Sequence, residues 1–254
     1  FSSLESVEDA KELARNLGAR AILLRETEQG RRMAEQSGLS DVCALITDDW
    51  DRIWQFLRAG ERTAVVERRT RETDIRVRLD LDGSSTSRID TGLKFFDHML
   101  DAFGRHGLFD LTVRATGDVE VDAHHTVEDT GIVLGRAFAA ALGDKAGITR
   151  FADCAIPMDE TLVAAAVDIS GRGQAYCDLP LPTERVGTFD TELAVEFFYA
   201  FARDAQLTLH VRELAGANSH HIIEAAFKAV GRCMRRACEL DPRVQGVPST
   251  KGSL

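Results

Sequence analysis

Hydrophobic and polar positions change period along the chain, and each change marks an element. Leu4, Val7, Ala10, Leu13, Ala14 and Leu17 recur at helical spacing, and Gly18 is placed to end that helix. Residues 19–24 then read as a short buried strand. A second helix, a second strand over 42–46 and a third helix follow. In the third, Trp50, Ile53, Trp54 and Leu57 form an apolar face, with Asp48 or Asp49 as cap and Gly60 as the end. Helix alternating with strand implies a piece of a parallel α/β sheet. Two parallel strands alone leave open edges, so residues 1–66 read as an incomplete unit.

From about Thr63 the texture changes. Ile75, Val77, Leu79 and Leu81 alternate with Asp74, Arg76, Arg78, Asp80 and Asp82, the pattern of a half-buried strand that ends at Asp82-Gly83-Ser84. Leu93, Phe96, Leu100 and Phe103 line one side of a helix over 92–105. Two β segments are expected to flank a Gly117-Asp118 turn, with a long helix over 125–142. The pattern then repeats. Leu111-Thr112-Val113-Arg114 leads to His124-His125-Thr126-Val127-Glu128 as Leu207-Thr208-Leu209-His210 leads to His220-His221-Ile222-Ile223-Glu224, at a constant offset without a gap. At a slightly longer offset, Asp101-Ala102-Phe103 matches Tyr199-Ala200-Phe201, which sets His98 opposite Glu196. The second domain is therefore expected to be two copies of one α+β half, over about 67–154 and 155–245.

Composition narrows the function. The 254 residues are 44% hydrophobic, enough for real cores, and 41 acidic residues against 31 basic ones give a net charge of −10. Without a Lys/Arg run, binding to nucleic acid or an anionic membrane is not expected. Apolar stretches such as 162–167 are far shorter than the roughly 20 residues of a membrane helix. The start at Phe1 lacks a basic and then apolar leader and is read as a cut start. Five Cys without CxxC spacing indicate reduced thiols in the cytoplasm rather than a disulfide framework.

The histidines are unusual in placement, as adjacent pairs His124-His125 and His220-His221. On a helix, i and i+4 share a face while i+1 turns away by about 100°. His124 with Glu128, and His220 with Glu224, can thus each grip one ion while His125 and His221 point elsewhere. With His98 and Glu196 these residues make eight candidate ligands, four for each of two ions, which leaves positions open for catalysis. Imidazole and carboxylate without thiolate suit Mn, Fe or Zn, and octahedral geometry favours Mn. Ligands sent in two directions also place the ions between neighbouring protomers. Arg150, Arg172, Lys228, Ser249 and Lys251 are weaker anion-binding signals, and Glu72 and Asp159 are weaker acid–base signals.

Arg69-Thr70-Arg71-Glu72-Thr73, Phe95-Phe96-Asp97-His98-Met99-Leu100, the two HHxxE motifs, Gly147-Ile148-Thr149-Arg150-Phe151 and Pro248-Ser249-Thr250-Lys251-Gly252 together resemble the imidazoleglycerol-phosphate dehydratase family, over about 66–254. The resemblance implies an α+β fold of duplicated half-domains, ribosomal protein S5 domain 2-like, with sheets packed on helices. It implies a homo-oligomer of 24 subunits built from trimers, with two Mn2+ in each active site. The implied reaction is the hydro-lyase step of histidine biosynthesis in which imidazole glycerol phosphate loses water to give imidazole acetol phosphate, through a metal-bound imidazolate. His98, His124, His125, Glu128, His220, His221 and Glu224 would be ligands. Glu196 stands where some members have His. Glu72 and Glu224 would shuttle protons with support from Asp159, and Arg150, Arg172, Lys228, Ser249 and Lys251 would hold the phosphate. Ala102 replaces a substrate-contacting Gln of some relatives.

Residues 1–66 resemble the end of a haloacid-dehalogenase-type phosphatase. Ser3-Leu4-Glu5-Ser6-Val7-Glu8-Asp9-Ala10-Lys11 and Gly18-Ala19-Arg20-Ala21-Ile22-Leu23 follow its last acidic motif and the next strand. Phe1-Ser2 stands where Gly-Asp is expected and Ser6 replaces the second Asp, so no phosphatase activity is expected. Two further readings of the histidine motifs are a dinuclear metallohydrolase and a non-catalytic, metal-assembled scaffold.

Overall fold

A computed structural model describes residues 7–59 and 61–254. Leu4, the start of the acidic motif at 1–6 and the helix-ending role of Gly60 lie outside the described residues, as do the side chains of Val7, Ala10 and Trp54. The chain divides into two compact units, Phe1–Glu61 and Arg62–Leu254. The division falls before residue 66 because Thr63–Arg69 is a single strand of the second unit's sheet.

The first unit holds α1 (Val7–Leu17), β1 (Ala21–Leu24), α2 (Thr27–Gln36), β2 (Cys43–Thr47) and α3 (Trp50–Ala59). The strands pair in parallel, as the alternation of helix and strand implies. Gly18 ends α1 in the left-handed conformation with φ +59°, and the amide of Ala19 donates to Ala14 O at 2.8 Å. The core is small, formed by Ala14, Ala34, Leu39 and Val42 with Leu23 and Ile46 against it. Two expectations are corrected. Residues 19–24 do not make a buried strand, since Ile22 and Leu23 are half-buried and Leu24 is exposed. Of the third helix's apolar face, Ile53 is buried while Trp50 is 70% and Leu57 66% exposed. A two-stranded sheet is too narrow to cover the faces of three helices.

The second unit runs β3 (Thr63–Arg69), β4 (Thr73–Asp80), β5 (Ser87–Asp90), α4 (Lys94–Gly107), β6 (Asp110–Gly117), α5 (His124–Leu142), β7 (Phe151–Met158), β8 (Thr161–Asp168), β9 (Gln174–Asp178), β10 (Arg185–Val186), β11 (Phe189–Asp190), α6 (Glu192–Asp204), β12 (Thr208–Ala215) and α7 (Ser219–Cys238). Among the described residues it has two four-stranded sheets, ordered β3-β4-β6-β5 and β7-β8-β12-β9. In each, three strands pair antiparallel and the last joins in parallel. The strand alternation behaves as read, for Ile75, Val77 and Leu79 are fully buried while Asp74, Arg76 and Arg78 face out.

The helices cover one face of each sheet and pair across them, α4 with α7 and α5 with α6. The aromatic core sits there: Phe103, Phe138 and Phe201 meet edge to face, and Phe197 stacks on Phe227 at 5.0 Å. Close helix contact needs residues without side chains. A Cβ on Gly231 of α7 would lie 2.5 Å from Phe103 O of α4, and one on Gly135 of α5 would lie 2.6 Å from Phe201 O of α6.

The β segment expected after Gly117 does not form. The amide of Val121 instead donates to Asp118 O at 2.8 Å, and Val119 and Val121 are exposed. β4 pairs with β6 along its length and β5 occupies the other side over Leu111–Arg114, which leaves a hairpin partner only the short stretch Ala115–Gly117. Among the described residues no helix is long and apolar enough to cross a membrane.

Candidate active site

The start of α7 builds the centre. Asn218 caps the helix, its Oδ1 accepting from the amide of His220 at 2.9 Å. One turn separates His220 from Glu224, and the face they share brings His220 Nε2 to 3.1 Å from Glu224 Oε2. From α4, His98 Nε2 reaches the same oxygen at 3.3 Å. The ligand atoms of His98, His220 and Glu224 all lie within 4.8 Å of one another. A further turn along α7, Lys228 Nζ lies 2.7 Å from Glu224 Oε1. The ring of Phe95 packs edge-on against His220 at 5.1 Å and holds it in place. Burial pushes the Glu224 carboxyl up, but the Lys228 ammonium and the His98 imidazole outweigh it and hold the carboxyl below its ordinary range.

α5 repeats the helical spacing in a looser form. His124 Nε2 is 3.9 Å from Glu128 Oε2, and Arg203 of α6 approaches Glu128 Oε1 at 3.7 Å. Glu196 sits half-buried on α6. His124, Glu128 and Glu196 do not close into a three-ligand group as His98, His220 and Glu224 do, among the described residues.

The second histidine of each pair turns away, as helical geometry requires, and meets a carboxylate that sequence reasoning did not single out. His125 Nδ1 is 3.1 Å from Asp118 Oδ2, and His221 Nδ1 is 2.8 Å from Glu160 Oε2. With Nδ1 engaged, each ring keeps Nε2 for another partner. The Asp118 hydrogen bond raises the His125 pKa, and the nearby charge of Glu72 adds to that. The hydrogen bond with His221 is the largest of several that hold the Glu160 carboxyl down at about 2. Asp159, in the same turn, has its Oδ2 3.8 Å from His221 Nε2. Glu72 is exposed in the turn between β3 and β4, where its carbonyl accepts from the amide of Asp118. Asp118 and Glu160 carried one usable signal: each is an acid in the turn that ends or follows a strand.

The anion-type residues fall into two places. Arg150 has φ +73°, its Nε donates to Asp168 Oδ1 at 2.7 Å, and its Nη1 donates to Pro248 O at 2.7 Å. Arg172 Nη2 lies 3.8 Å from Asp168 Oδ2, and the Ser249 hydroxyl accepts from the amide of Lys251 at 3.2 Å. The C-terminal tail is thus fastened beside Arg150. Lys228 is engaged instead by Glu224, in the histidine cluster.

Two imidazoles converging on one carboxylate, backed by an ammonium, can bind a cation or move protons, and two guanidiniums around Asp168 supply positive charge for an anion. On this α+β scaffold they define an enzyme. Its kind follows from comparison with known proteins. The imidazoleglycerol-phosphate dehydratase family model matches residues 91–234. The imidazoleglycerol-phosphate dehydratase of Thermoanaerobacter pseudethanolicus is 61% identical over 193 residues, covering 76% of this chain and 100% of the relative. That of Dinoroseobacter shibae is 58% identical over 194 residues, with the same coverage. The crystal structure of the Staphylococcus aureus enzyme matches with a TM-score of 0.64 at 39% identity, over 70% of this chain and 100% of that one. The Pyrococcus furiosus structure matches with a TM-score of 0.65 at 39% identity, over 74% and 99%. The chain belongs to the imidazoleglycerol-phosphate dehydratase family and is a hydro-lyase.

Proposed function

We propose that the chain dehydrates D-erythro-imidazole glycerol phosphate to imidazole acetol phosphate in histidine biosynthesis, with a site centred on His98, His220 and Glu224. The observation that carries this reading is the convergence of His98 Nε2 and His220 Nε2 on a single oxygen of Glu224.

The donor set fits a divalent cation, for it is all imidazole and carboxylate, with two further rings held through Nδ1 so that Nε2 stays available. His98, His124, His125, Glu128, Glu196, His220, His221 and Glu224 are the ligands proposed for two Mn2+, which Fe or Zn can replace. When bound, manganese supplies an electron sink by polarising the substrate imidazole. The chain's own groups do the rest. Glu72 and Glu224 are the proton-shuttling carboxylates: Glu72 takes the proton from the substrate carbon that becomes the ketone, and Glu224, ionised beside Lys228 and His98, first accepts a proton and then passes it to the hydroxyl that leaves as water. Asp159 supports His221. Arg150, Arg172, Ser249 and Lys251 are assigned to the phosphate, for which a planar guanidinium offers a bidentate grip, and Lys228, paired with Glu224 in the histidine cluster, is the further cation assigned to it.

The two half-domains, with their matching strand orders, are read as a duplication, and residues 1–61 as a remnant of a haloacid-dehalogenase-type domain without phosphatase activity. The divergent second histidines of each pair support completion of the site by a neighbouring copy, in a cytoplasmic homo-oligomer of 24 chains built from trimers. The manganese-loaded protein, incubated with imidazole glycerol phosphate, is expected to form a ketone with phosphate retained on the product. Absence of ketone overturns the reading, and release of inorganic phosphate replaces it with hydrolysis.

A further inference from the structure

Two cysteines outside the catalytic residues touch each other. Cys154 lies half-buried on β7, which is an edge strand of its sheet, and Cys233 lies buried on α7. Their sulfurs are 3.4 Å apart, in direct contact. The surroundings fix both thiols. Cys233 Sγ is 3.3 Å from the carbonyl of Ala165, the residue paired with Cys154 across β7 and β8. Cys154 Sγ is 3.4 Å from the carbonyl of Ala229, one turn before Cys233 on α7. Helix and strand are therefore held with the two sulfurs facing, and a disulfide of about 2.05 Å requires them to close by only about 1.4 Å.

We propose that Cys154 and Cys233 are a peroxide-responsive dithiol that closes into an intrachain disulfide joining α7 to the edge strand β7. The substrate class is a small hydroperoxide that approaches from the edge of the sheet. The Cys154 thiolate attacks the peroxide and breaks its O–O bond. The near oxygen stays on sulfur as a sulfenic acid, and the far oxygen leaves with a proton as water or an alcohol. The Cys233 sulfur then attacks Cys154, the S–S bond forms, and the sulfenic oxygen leaves as water with the Cys233 proton. The two sulfurs give up two electrons and the peroxide receives them.

Accessibility assigns the order, for Cys154 is half-buried on an edge strand where a hydroperoxide can reach it, whereas Cys233 is fully buried. The hydrogen bond from Cys233 and the charges of Arg232 and Arg236 lower the Cys154 thiol against the effects of burial and of Asp153, while Cys233 is raised. The other thiols are poor competitors. Burial pushes Cys177 and Cys238 up to about 12 and also raises Cys43.

The test treats the full chain with a small molar excess of hydrogen peroxide, then counts thiols after denaturation and maps the peptides. Titratable thiols are expected to fall from five to three, with one peptide pair joined through Cys154 and Cys233 and full recovery in dithiothreitol. Cys154→Ser is expected to form no cross-link, and Cys233→Ser to stop at a Cys154 sulfenic acid that dimedone traps. Retention of all five thiols, oxidation spread over the other cysteines, or a bond from Cys154 to another copy of the chain each overturns the proposal. The peptide map of the unmodified chain decides the matter even where a serine variant does not fold.

Discussion

Lys228 Nζ lies 2.7 Å from Glu224 Oε1, one turn further along the same helix, with both side chains largely shielded from water. The carboxylate is therefore shared, one oxygen to the ammonium and the other to His98 and His220. Lys228→Met leaves a shielded carboxylate without its cation and is expected to cost about 1–3 kcal/mol of stability, read from urea unfolding. Ketone formation is expected to fall at least about tenfold with it, since unpairing one charge of a shielded site disturbs the rest. Lys228→Arg retains the charge and is expected to recover part of the stability.

Glu160 holds His221 at 2.8 Å and accepts from the amides of Ala217 and Asn218 before α7. Glu160→Gln preserves the shape but offers only one oxygen and no charge. An expected loss of about 10–100-fold in turnover or manganese affinity follows from releasing the ring that the carboxylate orients. A metal titration beside a turnover assay separates the two effects, and unchanged values for both contradict this role.

At Gly135 the backbones of α5 and α6 approach so closely that a Cβ would lie 2.6 Å from Phe201 O and 2.7 Å from Ala205 N. Backbone atoms cannot swing aside as a side chain can. Gly135→Ala is expected to destabilise by about 1–3 kcal/mol through overpacking, despite alanine's higher helix propensity. The denaturant midpoint measures it.

Asp80 supplies a pH dependence. Burial, with the carboxylates of Asp82 and Asp110, raises its carboxyl above the ordinary value of 3.8, although the amide of Asp82 and the charge of Arg78 oppose the rise. The folded protein therefore binds this proton at a higher pH than the unfolded chain does. Its stabilising share is present below the ordinary value and is lost as pH rises through the folded one. Asp80→Asn keeps the oxygen that accepts from Asp82 N at 2.9 Å. It is expected to raise the unfolding temperature in neutral buffer, with the gain shrinking as the buffer is acidified.

Helical spacing made part of the site legible in the sequence. His220 with Glu224 needs only one helix turn, and Lys228 lies one turn beyond. The arrival of His98 needed the packing of α4 on α7, which the internal match of His98 with Glu196 does not specify. Glu160 escaped notice because it is 61 positions from His221, in a turn whose direction depends on the whole sheet. Val119 and Val121 show the opposite failure. Their alternation has the period of a strand, but pairing needs a free edge and β5 leaves β6 only Ala115–Gly117 on that side. In the first unit, Trp50 and Leu57 keep helical spacing without a surface to bury them, so period alone did not decide burial.

The guanidinium of Arg150 fastens Asp168 on one side and the carbonyl of Pro248 on the other. Ordering the tail and the anion binding proposed for Arg150 draw on the same five N–H groups, so their free energies are linked. An anion that leaves the carbonyl contact intact tightens the tail, and one that takes over its donor releases the tail. Trimming the tail is therefore expected to change the affinity for the proposed anion. In that proposal the last few residues of the chain form a local folding equilibrium set against ligand occupancy.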